Sequence, residues 1–169
     1  RLVVQALFNE VEQLALTLAS MEFKIVRDQL SNLVKKEGRL VQEAMELESF
    51  LSSETKKGMA DISYLVNYQR PAEDEASFLK YYREHHPALL LKFPGIRRME
   101  LGYPIDWRVD EFATHADRML FCEVSFDSIE ELNESLNSEI RKELRADYEC
   151  FPSFSAAVTH FAMLRQSIL

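Results

Sequence analysis

The chain has 169 residues, 47% of them hydrophobic, and 20 Lys and Arg against 28 Asp and Glu, for a formal charge of −8. Such a chain can bury a core in one domain with an appendage or in two small domains, whereas its acidic balance excludes a general binder of nucleic-acid backbones, which needs a basic face. Cys122 and Cys150 are too few for a disulfide framework or a Cys-rich zinc site, no run of about 18 apolar residues could span a membrane, and the opening RLVVQALFNEVEQL carries acids where a signal peptide needs an apolar core; we expect a cytoplasmic protein with free thiols and no nucleic-acid or membrane partner.

All five prolines lie at or beyond Pro71, and residues 1–58 hold Gly38 and Gly58 as their helix breakers. Leu7, Val11, Leu14, Leu18, Met21 and Ile25 step by four and three along one helical face. Val26, Leu30, Leu33, Leu40, Ala44, Leu47 and Leu51 continue that spacing with a slip of one residue. The segment therefore reads as a helical extension over 1–58, one long helix or a hairpin broken near KKEGR, with packing, dimerisation or partner docking as its role.

After Gly58 the period changes. ISYLVNY alternates Ile62, Tyr64, Val66 and Tyr68 with Ser63, Leu65 and Asn67, the pattern of a strand. Asp74 or Glu73 caps a helix carrying Phe78, Tyr82, His85, Leu89 and Phe93 on one stripe, closed by Pro94-Gly95. IRRMEL reads as a second strand, and MLFCEVSF as a third with Leu120, Cys122, Val124 and Phe126 on one face. DSIEELNESLNSEIRKEL reads as one second helix capped by Asp127 or Ser128, and AAVTHFAML as a last strand. Strand, helix, strand, strand, helix, strand is the ferredoxin-like α+β order, an antiparallel sheet with both helices on one face. Leu65, Phe121, Phe161 and Met163 give the other face apolar character too. The pattern thus predicts a homodimer through that sheet face, with a cavity or core between two sheets.

YYREHHPAL, FPGIRRME, FCEVSFDSIEEL and ADYECF, in that order, resemble the EthD-like family of dimeric α/β barrel proteins. The resemblance covers Ile62 to about Met163 and rests on Tyr81, Tyr82 and His86, Pro94-Gly95, Phe126-Asp127-Ser128, and Asp147 with Phe151. It implies domains at 1–58 and 59–169, the first an added or fused segment, since Met59-Ala60-Asp61 reads like a natural beginning. The family's His-x-Pro-Leu here reads His86-Pro87-Ala88-Leu89. Keeping the spacing to Tyr81 and Pro94 selects His86; aligning on Pro87 selects His85.

The resemblance implies an apolar cavity for a small aromatic or lactone-like metabolite and cofactor-independent isomerase, decarboxylase, cyclase or monooxygenase chemistry, with a His moving protons. No cofactor is expected, haem being the weak exception, and no metal, because adjacent helical residues such as His85 and His86 diverge by about 100°. His86 is the first catalytic candidate, since an imidazole titrates near pH 6.5, its plain alternative being a helix-end histidine. His115, in a loop, is the second. Tyr64, Tyr68, Tyr82, Cys122 and Asp147 are the ligand-binding candidates, set against core packing for the tyrosines, a buried inert thiol for Cys122, and a structural contact to Arg98 or a histidine for Asp147. His85 reads as a core histidine on the Phe78 stripe. A non-catalytic assembly module is the competing function.

Overall fold

A computed structural model describes residues 3–37, 41–51, 60–107 and 114–166, without the side chains of 33–37 and 115. The chain divides into two compact units, one of residues 1–42 and 108–116, the other of 43–107 and 117–169.

The first unit contains α1 (Val11–Ala19), α2 (Met21–Glu37) and a short parallel pair of β1 (Val41–Gln42) with β5 (Thr114–His115). The helix breaks at Ser20, whose backbone is extended. Its hydroxyl donates to Thr17 O at 2.7 Å and accepts from Phe23 N–H at 3.1 Å, closing one helix and capping the next. Gly38, where a hairpin was expected to turn, lies outside the described residues. The apolar stripe is mostly presented rather than packed: Leu7, Val11, Met21 and Ile25 are exposed, and Leu14 and Leu18 are half-buried.

The second unit holds β2 (Met45–Leu51), β3 (Ile62–Gln69), α3 (Glu75–Leu90), β4 (Arg98–Pro104), β6 (Arg118–Phe126), α4 (Ile129–Leu136), α5 (Ile140–Tyr148) and β7 (Val158–Leu164). The sheet runs β2-β4-β6-β3-β7, antiparallel at every step. From β3 onward this is the ferredoxin-like α+β fold. Strand β2 corrects the sequence reading, which made 45–51 helical. MELESFL alternates as well as it steps by four, and β2 pairs with β4 from Met45↔Pro104 to Leu51↔Arg98, so ladder hydrogen bonds decide an ambiguous pattern. The N-terminal segment accordingly runs helix, break, helix and then the strands β1 and β2, and β2 and β7 form opposite edges of the five-stranded sheet.

The second predicted helix is two. Ser128 caps α4 by accepting Glu131 N–H at 3.1 Å, and α4 stops because Asn137 and Ser138 turn their side chains onto the carbonyls of Asn133 and Ser135, both at 2.7 Å. The break frees α5 to lie against α3.

One face of the sheet presents Ile62, Tyr68, Met99, Leu101, Leu120, Cys122, Val124 and Phe126 to Phe78, Tyr82, Leu90, Leu132 and Leu144 of the helices. Phe78 and Tyr82 are essentially without solvent contact, each contributing about 1.5–3 kcal/mol of transfer free energy. The opposite face is less open than its alternation implies. Leu65 and Phe121 are buried in the single chain, beside buried Ser63, Asn67, Glu100, Glu123 and Ser125. Glu100 and Glu123 are direct cross-strand partners. Arg98 pairs with Glu100, and Arg165 with Glu123 at 3.1 Å, which also accepts from Ser63. Gly102 permits a close approach there, because a Cβ at this position would stand 2.0 Å from the Phe121 ring. Among the described residues no helix is long and apolar enough to cross a membrane.

Candidate functional site

The helix-covered face does not close completely. Between β3, β6 and β7 on one side and α3 and α5 on the other lies a cavity of about 540 Å³, lined by Tyr64, Val66, Tyr68, Tyr82, His86, Leu90, Cys122, Val124, Arg141, Leu144, Val158 and His160 among others. This open volume lies between sheet and helices of one chain, on the face opposite the one expected to meet a second sheet.

Helix α3 positions His86. Asp74 caps it, accepting Ser77 N–H at 2.9 Å, and the buried stripe runs Phe78, Tyr82, His86 and Leu90, one residue every four. This rotation overturns the reading of His85 as the core histidine. His85 is exposed, its Nδ1 2.8 Å from Tyr81 O and its ring stacked on Tyr81 at 4.2 Å. His86 is 7% exposed instead. The Tyr82 ring stands 4.8 Å from it and the Phe151 ring 5.1 Å.

The break between α4 and α5 brings Asp147 to the same place. His86 Nδ1 lies 2.7 Å from Asp147 Oδ2, and Tyr81 donates its hydroxyl proton to Asp147 Oδ1 at 3.0 Å. Of the two partners considered for Asp147, the histidine is found; Arg98 is engaged by Glu100. Burial lowers the His86 pKa below its ordinary value, and the hydrogen bond to Asp147, which raises it, does not fully offset that loss of hydration. The ring is therefore neutral near pH 7, donating Nδ1–H to the carboxylate. Nε2, which has no partner among the described residues, is then the basic nitrogen.

On the sheet wall, β3 and β7 place Tyr64 and His160 as neighbours, with the hydroxyl 2.9 Å from His160 Nδ1. Burial raises the Tyr64 pKa and lowers that of His160. Tyr68 lies edge-on to Tyr82 at 5.3 Å, and burial holds both phenols well above their ordinary range. Burial likewise pushes the Cys122 thiol up to about 12. Cys122 thus lines the cavity as a protonated apolar group, unsuited to nucleophilic work.

Tyr64, Tyr68, Tyr82, His86 and Cys122 all line this one cavity, and Asp147 stands behind His86. His115 belongs to the other unit, where its backbone pairs with Gln42, and its side chain lies outside the described residues. Sequence reasoning placed neither His160 nor Arg141 among the site candidates. The alternation of Val158, His160 and Ala162 against β3 carried a signal for the first; nothing in the local pattern marks the second. Among the described residues no three His, Cys, Asp or Glu side chains gather as metal ligands.

No curated protein matches the chain. Among solved structures, an ethyl tert-butyl ether D (EthD) family protein of Bacillus halodurans is 22% identical, with a TM-score of 0.51 over 63% of this chain and 99% of its own. A candidate monooxygenase of Fusobacterium nucleatum is 12% identical, with a TM-score of 0.54 over 94% of this chain and 65% of its own. Both likenesses concern the fold. The family model of the EthD domain matches residues 70–161, from the turn before α3 into β7 and over half of the sequence. The chain belongs to the EthD domain family.

Proposed function

We propose that the chain is a cofactor-independent enzyme acting on a small aromatic or lactone-like molecule held between sheet and helices, with His86 as the proton-transfer residue. The observation that carries this reading is the buried His86–Asp147 pair at 2.7 Å beside an aromatic cavity of about 540 Å³. Asp147 fixes the tautomer and orientation of the ring. His86 Nε2 takes a proton from an acidic C–H or O–H of the bound molecule and returns it. Such a transfer is shared by isomerisation, cyclisation and the deprotonation that precedes oxygen insertion, the reaction named for the Fusobacterium nucleatum protein of this fold.

The test is deuterium incorporation from D₂O into a panel of aryl ketones and aryl lactones, followed by NMR. The intact chain should accelerate exchange in at least one of them, and His86→Asn should reduce it by about 100-fold or more. Exchange that His86→Asn leaves unchanged overturns the reading.

A second copy on the sheet face opposite α3 and α5 belongs to the same proposal, because Phe161 and Met163 remain part-exposed there beside buried Leu65 and Phe121. Light scattering should return twice the chain mass; a monomer at micromolar concentration removes this part.

A further inference from the structure

Three cationic side chains line the cavity on α5, and they differ in what holds them. Lys142 lies 2.6 Å from Glu139, and Arg145 lies 3.5 Å from Glu149. Arg141 makes no side-chain hydrogen bond or ion pair among the described residues, although it too lines the cavity. In a chain of net charge −8, a guanidinium without a carboxylate is not explained by any shortage of acids.

The sheet wall supplies polar atoms to the same cavity. Tyr64 OH stands 2.9 Å from His160 Nδ1. Burial raises the Tyr64 pKa, so the phenol keeps a proton that it can donate to Nδ1 of a neutral imidazole. A neutral imidazole that accepts at Nδ1 carries its own proton on Nε2, and that N–H is a donor. The positive charge of Arg141 acts on His86, His160 and Tyr64 alike, in each case disfavouring positive or favouring negative charge. Arg141 thus lines the same cavity as His86 on one wall and as Tyr64 and His160 on the other.

We propose that Arg141, with the His160–Tyr64 pair, forms an anion-binding subsite, and that the molecule taken by this cavity is an aromatic acid whose carboxylate sits there while its ring packs against Val66 and Val158. This inference rests on the reading of the cavity as a small-molecule site and narrows it from aromatic molecules to those bearing a negative oxygen. The planar guanidinium suits a carboxylate, which accepts two of its N–H groups at once. Because Arg141 is exposed, solvent weakens its pull, and a modest preference is expected.

The probes are 2-naphthoate and its neutral isostere 2-naphthamide, titrated into the intact chain by calorimetry or ligand-observed NMR. The naphthoate should bind roughly tenfold more tightly, the gain expected of one charge-assisted contact. Arg141→Gln should weaken naphthoate much more than naphthamide and so erase that preference, whereas Arg145→Gln, which removes the same charge from the same helix, should keep it. Equal binding of the two probes, or a preference that survives Arg141→Gln, overturns the subsite while leaving the cavity reading intact. Binding of neither probe overturns both.

Discussion

The two faces of the sheet are built from the same strands, yet one keeps a cavity and the other, around Gly102 and Phe121, has no room for a methyl group. Toward α3 and α5, the space among Tyr64, Val66, Tyr82 and His86 amounts to about 540 Å³. On the opposite face a Cβ added to Gly102 would meet the Phe121 ring, and Ser63, Glu100, Glu123 and Ser125 are buried in cross-strand polar contacts. The difference teaches where to look for chemistry. Glu100, Glu123 and Ser63 on the closed face find partners among themselves and the arginines, Asn67 Oδ1 and Arg98 Nε being left over, while His86 on the open face keeps one nitrogen for something that is not protein.

Substitutions on the closed face should show the largest effects. Glu123→Ala leaves the Arg165 guanidinium and the Ser63 hydroxyl without their acceptor and should cost about 2–3 kcal/mol in urea unfolding. Gly102→Ala forces the Phe121 ring aside and should cost about 1–3 kcal/mol by the same measurement. Values near zero for both would show that this face is not close-packed, and the comparison would fail.

The open face should report through pH. Burial depresses the pKa of His86 despite Asp147, with Arg141 adding to the effect, and depresses that of His160. Between the folded and unfolded values the unfolded chain binds more protons, so this stability is complete above about pH 6.5 and is lost as pH falls through the folded pKa. His86→Gln should flatten that acid-side slope in unfolding experiments more than His160→Gln does, because His86 is the more deeply buried. The smallest effect is expected from Val66→Leu. The added methylene points into open volume, so stability should change by less than about 1 kcal/mol, while affinity for 2-naphthoate falls. A Val66→Leu cost as large as that of Gly102→Ala would mean that the cavity does not persist.

Much of the architecture was legible. The alternation of ISYLVNY and MLFCEVSF is unambiguous because apolar or aromatic residues recur at every second position and both strands are central in the sheet. The caps at Asp74 and Ser128 are local, since each bonds an amide three residues on. Segment 45–51 was not legible, because its residues fit two periods and only the β4 edge chooses between them. The break after Asn137 was missed for a related reason: Asn and Ser are tolerated inside helices until their side chains find a backbone carbonyl. For the site, the spacing that selected His86 over His85 agreed with the burial, while the apolar stripe drawn through His85 did not. Steps of three and four both mark a helical face, and the packing of Leu90 rather than Leu89 into the core sets the phase.

By itself the sequence determined the ferredoxin-like order from β3 onward and the family, because these follow from near-neighbour periodicity and short motifs. The tertiary structure decided which groups meet. Asp147 is 61 residues from His86 and Tyr64 is 96 residues from His160, and no local rule links such positions. They meet because two sheet neighbours fix their register by backbone hydrogen bonds, and because a helix break of a few residues turns α5 toward α3. It also decided that the space lies between sheet and helices, since volume is left over only after every side chain has been packed.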